Sequence, residues 1–308
     1  MTLPRLSSFV RVAVSVVALG ILLSLIPLRE LGAAIARTPP LVMLITLVVL
    51  LLGHATAALK WRLLQGADAT LPVSTALRAH FLGVVSNLWL PGVVGGDVVR
   101  AGAAFGPNRR ALVLVASLVD RVVDSIALLL LATASLFFIR GATQSEWRLV
   151  EVGFIGAAIF GVASFVAYRV VKSRQIAKIG ALVEAAELIA RSPGRVMAAL
   201  AISAGIQSAF ILVNVSLGRA VGMRAPISAW FMAWPLAKLA AILPVSAAGL
   251  GVREAALVVL MRPFGDPSGT VMAAGLLWQA TFIIGGLLGW GVSLMAGKPW
   301  RKASSPGV

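Results

Sequence analysis

The residues able to do chemistry in this chain are few and stand where charge is unexpected. In LPGVVGGDVVR, an uncharged stretch ends in Asp97 and, three residues on, Arg100. LVDRVVD places Asp120, Arg121 and Asp124 within an otherwise apolar run. Lys238 stands alone in the apolar stretch 225–252, and Arg253 and Glu254 follow directly after it. On a helix, Asp120 and Asp124 share a face, and Arg121 looks toward Asp124 one turn on. Charges at membrane depth cost on the order of 3 kcal/mol or more each, so they face a polar cavity or one another. A cluster of both signs suits a zwitterionic or anionic headgroup, and it is equally able to neutralise itself as structural salt bridges. Proton coupling through Asp120 or Asp124 is conceivable on the same grounds.

These residues carry no catalytic set. Cysteine is absent, which removes disulfides, thiolate nucleophiles and cysteine metal sites. His54 and His80 lie too far apart in sequence to read as a metal-binding pair, and His54 reads as a hydrogen-bonded packing residue. GVVGGD lacks the strand context of a dinucleotide turn, no nucleotide-binding GxxxxGK[ST] loop occurs, and Ser246 is not in a nucleophile elbow. An intramembrane enzyme using Asp97, Asp120 and Asp124 on lipid phosphates would lack a nucleophile or metal set. Neither an enzyme nor a cofactor nor a bound metal is expected.

The elements that must position these residues are membrane helices. Of 308 residues, 59% are hydrophobic and 12% charged, with mean hydropathy +0.97. A soluble domain has no use for so much apolar residue, because its surface must be polar. The net charge of +16 would point to nucleic acid in a soluble protein. Here it belongs to short loops that set topology and meet anionic headgroups, so no nucleic-acid partner is expected. Uncharged runs long enough to cross the bilayer cover 12–28, 38–59, 125–139 (extending back toward Ala111), 152–168, 196–218 and 267–297. The first is longer than a signal-peptide core and is kept as a span. The segment 169–195 carries an apolar stripe between basic and acidic residues, as either an interfacial amphipathic helix or an ordinary connecting helix.

Two further apolar stretches, 79–96 and 225–252, are interrupted by Pro and Gly. If both are re-entrant hairpins, most Lys and Arg, Lys60 and Arg62 among them, fall on one side, which makes both termini cytoplasmic. The two stretches are also alike. LPVS precedes LPGVVGGDVVRA, and APIS precedes LPVSAAGLGVREA at nearly the same spacing. In the first, Pro91 stops the incoming helix, while Gly92, Gly95 and Gly96 permit a tight positive-φ path. Asp97 then suits the N-cap or first turn of a new helix, with Arg100 one turn further. In the second, Gly249 and Gly251 free the backbone before Arg253 and Glu254. A glycine-flanked helix start with an arginine can hold a phosphate. The expected fold is therefore all-α: a single integral membrane domain over 1–308 with six full spans and two re-entrant broken-helix hairpins. The repeat units, about 38–139 and 196–297, are related in inverted topology, the architecture of alternating-access transporters.

WRLLQG, P-x-S, LPGVVGGDVVRAG, LVDRVVD and the late GLGVREAAL together resemble the lysylphosphatidylglycerol synthase transmembrane-region family, the flippase-like integral membrane proteins. The matching motif positions are Pro91, Gly95, Gly96, Asp97 and Arg100, with Gly249, Gly251, Arg253 and Glu254. The resemblance implies movement of lipids between leaflets. The chain has no soluble aminoacyltransferase domain and is not expected to make lysylphosphatidylglycerol itself. The expected activity is flippase-like transport of a phospholipid or a polyprenyl-, glycolipid- or hopanoid-type lipid in a bacterial cytoplasmic membrane. Its expected partners are membrane lipids, anionic headgroups at the cytoplasmic face and a lipid-modifying enzyme. The alternative is a non-transporting accessory subunit of a glycosyltransferase or lipid-synthesis complex.

Overall fold

A computed structural model describes residues 28–66, 71–88, 94–104, 110–139, 177–241 and 252–295. Among them every regular element is helical: α1 (Leu28–Arg37), α2 (Pro40–Leu64), α3 (Val73–Ser86), α4 (Val94–Ala103), α5 (Arg110–Leu136), α6 (Ala177–Ala190), α7 (Pro193–Ala220), α8 (Ile227–Ala240), α9 (Val252–Met261) and α10 (Ser268–Met295), with a short 3-10 turn at Arg262–Phe264. The expected spans 12–28 and 152–168 fall, apart from Leu28, outside the described residues.

Helix boundaries follow local chemistry. Pro40 and Pro193 open α2 and α7, where a missing N–H and a fixed φ cost nothing. The short helices α3 and α8 each begin directly after a proline, Pro72 and Pro226, and neither start has a side-chain cap. Helix α7 ends in a Schellman motif: Gly222 takes φ +96°, Met223 N–H donates to the Gly218 carbonyl at 2.8 Å, and Gly222 N–H donates to Arg219 at 3.0 Å.

Helices α2, α7 and α10, of 25, 28 and 28 residues, are long and apolar enough to cross a membrane. Their outer faces expose Leu41, Leu44, Val48, Leu52, Leu212, Ile284, Leu288 and Val292. Apolar side chains of that size on long apolar helices belong in hydrocarbon, which supplies the favourable contact that water would not. Helix α5, of 27 residues, has the length to cross as well. It confirms the backward extension of 125–139 toward Ala111 as one continuous helix, despite Asp120, Arg121 and Asp124.

Two four-helix sets emerge. The first, α2 to α5, runs 25, 14, 10 and 27 residues; the second, α7 to α10, runs 28, 14, 10 and 28. Each packing contact in one set has a counterpart in the other. Within the sets, α2 packs on α3 as α7 does on α8, α3 on α4 as α8 on α9, and α4 on α5 as α9 on α10. Across them, α3 packs on α10 and α8 on α5, while α2 and α7 lie against each other. Each broken stretch is thus braced by the last long helix of the other set. One core gathers around Phe210, Trp230, Trp234 and Trp278, and a second around Trp61, Val113 and Ala116.

Helix α6 resolves the reading of 169–195. Its Ala185 and Ile189 are buried in the second core, and it packs on α5 and α7. Of the apolar stripe, Leu182, Ala186 and Ile189 pack in that core, as in a connecting helix; residues 169–176 lie outside the described residues.

Candidate functional site

The charges of the first set form one alternating chain. Arg121 Nε donates to Asp97 Oδ2 at 2.5 Å, and Asp97 Oδ1 lies 3.3 Å from Arg100 Nη2. Arg100 Nη1 donates to Asp120 Oδ2 at 3.0 Å, and Asp120 Oδ1 lies 3.0 Å from Lys60 Nζ. Lys60 then ion-pairs with Asp124, closing a line of three cations and three carboxylates with no charge left over. Ser203 of α7 accepts from Lys60 at 2.7 Å and donates to Asp124 at 2.6 Å, tying this line to the other set. The Arg100 guanidinium lies 4.7 Å from the centroid of the Trp61 ring, which in turn donates Nε1–H to Ser117 at 3.1 Å.

Desolvation explains the alternation. Lys60 is 1% exposed and Arg100 and Asp120 about 4% each. Ions so far from water persist when their charged partners are of opposite sign, which offsets the cost of burial even though Arg100 Nε has no hydrogen-bond partner among the described residues. Arg121 and Asp124, the two ends of the line, are 39% and 27% exposed.

Several expectations change here. Arg121 binds Asp97 on α4 across the bundle, whereas helical spacing alone pointed it at Asp124. Lys60, read as a cytoplasmic loop residue, lies inside α2, which continues to Leu64, so it belongs to the buried interior. Gly95 and Gly96 lie in the first turn of α4, and Gly96 does not take a positive φ. The physical reason for glycine at 96 is close approach: a Cβ there would overlap the Gly83 carbonyl and the Asn87 side chain. Asn87 Oδ1 accepts from Gly96 N–H at 2.8 Å, and Asp97 occupies the same first turn. The start of α4 is accordingly held by the protein's own oxygens, with Asp97 in the expected first-turn position. Pro91, Gly249 and Gly251 lie outside the described residues.

The second set distributes its charge differently. Arg253 and Glu254, in the first turn of α9, ion-pair with each other. Arg253 Nη2 also donates to Gln279 Oε1 at 3.0 Å, and its guanidinium lies 5.3 Å from the Trp234 ring centroid. Arginine beside tryptophan therefore recurs in both sets. Lys238 donates to the amide oxygen of Gln207 at 2.9 Å, with its ammonium 6.0 Å from the Phe210 ring centroid. Gln207 lies one turn along α7 from Ser203, so the helix that holds Lys238 also holds Asp124.

The fold also joins the two histidines. His54 Nδ1 and His80 Nε2 lie 3.2 Å apart, and His54 is ringed by Phe81, Phe210 and Phe282 at 5.5–6.1 Å between centroids. His54 is a hydrogen-bonded packing residue as its sequence setting indicated, but its partner is the distant His80. Among the described residues no cluster of three or more metal-ligating side chains occurs.

Sequence reasoning missed Lys60, Trp61, Ser203, Gln207 and Gln279. A signal existed for the first two: nothing between Leu59 and Gln65 breaks a helix, so the charge-free run was a poor guide to where α2 ends. For Ser203, Gln207 and Gln279 no signal existed, since isolated polar residues on apolar helices acquire partners only through packing.

An integral membrane protein, all-helical among the described residues, with a polar interior shared by its long helices and the short ones between them, is the class that fold and site define together. The chain belongs to the lysylphosphatidylglycerol synthase TM region family, which matches residues 8–289. No curated protein matches the chain significantly.

Proposed function

We propose that the protein is a flippase-like transporter that moves a phospholipid or a lipid-linked substrate of polyprenyl, glycolipid or hopanoid type across a bacterial cytoplasmic membrane. The observation that carries this reading is that α7 joins the two charged groups: Ser203 holds Asp124, which is 27% exposed, and Gln207, one turn further along the same helix, holds Lys238. A headgroup drawn inward along Arg121, Asp124, Lys238 and Arg253 exchanges water for charged and amide partners, while acyl chains stay on the apolar outer faces.

The matching helix lengths and the exchange-symmetric packing support two related units, and inverted topology with both termini cytoplasmic is the orientation that the distribution of Lys and Arg favours. Six full spans with α3–α4 and α8–α9 as re-entrant hairpins accommodate the short helices, because 14 and 10 residues at 1.5 Å each do not cross a ~30 Å core. The activity is non-enzymatic in this reading, and the chemistry is binding and release of the headgroup.

Translocation of labelled phosphatidylglycerol in reconstituted vesicles is the test. Arg253→Ala is expected to slow it by about tenfold or more, equivalent to about 1.4 kcal/mol, with the fold retained. Unchanged rates would remove the headgroup role. A purified protein that transports nothing alone but co-purifies with a stoichiometric lipid-modifying enzyme would establish the accessory-subunit role instead.

A further inference from the structure

The charges facing the bundle interior do not sum to zero. Apart from Arg62 and Arg78, which bind backbone carbonyls, the charges at issue are the cations Lys60, Arg100, Arg121, Lys238 and Arg253 and the carboxylates Asp97, Asp120, Asp124 and Glu254. The first three carboxylates are internal to the line from Arg121 to Asp124, and Glu254 pairs with Arg253. Lys238 is left with a neutral partner, the Gln207 oxygen. An ammonium group has three donors, and only one is used here. The Gln207 amide nitrogen likewise has no acceptor among the described residues. Lys238 and Gln207 therefore present unused N–H donors and one unbalanced positive charge, in a place where an unbalanced charge is costly.

We infer that Lys238 and Gln207 form the docking point for the phosphodiester of a monoanionic lipid, and that the site selects such a lipid over zwitterionic and net-cationic ones. The inference rests on the transport reading above and specifies its substrate by charge. One phosphodiester brings the single negative charge that the interior lacks and oxygen acceptors for the idle donors. A zwitterionic headgroup adds an ammonium whose natural acceptors, Asp120 and Asp124, are already taken by Lys60. Lysylphosphatidylglycerol carries two amines on one phosphate, a net positive charge, and would meet Lys238 and Arg253 as like charges. This member of the family is thereby set against the aminoacylated lipid for which the family is named.

Native mass spectrometry of the intact protein with equimolar dioleoyl phosphatidylglycerol, dioleoyl phosphatidylcholine and lysylphosphatidylglycerol tests the assignment. The wild type is expected to retain phosphatidylglycerol over either competitor by about tenfold, the effect of one charge interaction of about 1.4 kcal/mol. Lys238→Gln should bring the three to near parity, and Lys238→Arg should keep the preference. Gln207→Glu should also abolish it by neutralising Lys238 without removing it, which guards against a simple folding defect at position 238. A preference that survives both Lys238→Gln and Gln207→Glu overturns the assignment, as does a wild type that binds all three lipids equally. Inorganic phosphate separates the sources of the anion: no displacement of phosphatidylglycerol at millimolar phosphate supports a lipid ligand, and tight phosphate binding that displaces it overturns one. Wild-type translocation with unaltered charge preference in both variants defeats this assignment alone, whereas no translocation by the wild type defeats the transport reading beneath it.

Discussion

Where α2, α4 and α5 meet, three cations are paired with carboxylates: Arg121 and Arg100 share Asp97, Arg100 and Lys60 share Asp120, and Lys60 reaches Asp124. Around α8 and α9, in helices of the same lengths, Arg253 has Glu254 but Lys238 has only an amide. The two regions share a layout and differ in closure. In the first region the charges balance within the network, and in the second one cation is held by a neutral group. Similar backbones can thus carry a clamp on one side and a binding point on the other, with the difference residing in a few side chains.

That contrast can be broken most sharply at Lys60. Lys60→Met leaves Asp124 without its cation and Asp120 with Arg100 alone, and the expected loss is about 3–5 kcal/mol of stability, read as a large drop in thermal unfolding temperature in detergent. A variant that unfolds at the wild-type temperature would show that the network does not clamp the bundle. Gly96→Ala forces the new methyl against the Gly83 carbonyl and Asn87 where α3 meets α4, and about 1–3 kcal/mol is expected to be lost in the same assay. On the open side, Lys238→Gln should change stability by about 1 kcal/mol or less while altering lipid retention, because it removes one hydrogen bond and no charged partner. A stability loss as large as that of Lys60→Met would erase the distinction between the two regions. The smallest effect belongs to Arg191→Ala on α6, whose 3.4 Å pair with Glu187 is formed by an arginine 79% exposed. Its expected cost is about 0.5 kcal/mol or less, and a shift comparable to Gly96→Ala would mean that α6 anchors the bundle through charge.

Much of this arrangement was legible in the residues. Charge-free runs located α2, α7 and α10, the P-x-S motifs marked the starts of α3 and α8, and Asp97, Arg100, Arg253 and Glu254 were placed in or near the first turns of short helices. Local signals suffice for such features because proline, glycine and uninterrupted apolarity act within a few residues of where they stand. Partner choice was not legible. Arg121 looked toward Asp124 by helical spacing and instead met Asp97, because the approach of α4 to α5 brings that carboxylate within reach while Asp124 is held by Lys60 and Ser203. Lys60 was hidden by its place at the end of an apolar run, and His80 by its separation from His54.

By itself, then, the amino-acid sequence determined the solvent of this protein, the membership of its charges in an apolar interior and the points at which its helices break, since each depends on composition or nearest neighbours. Only the tertiary structure decided which opposite charges meet, and hence which one is left over. Burial makes an unpaired ion costly, and pairing is settled by which helices come within reach. That Lys238, within the bundle, is held by the amide oxygen of Gln207 while Lys60 is held by two carboxylates is a property of the packed bundle and of no single segment.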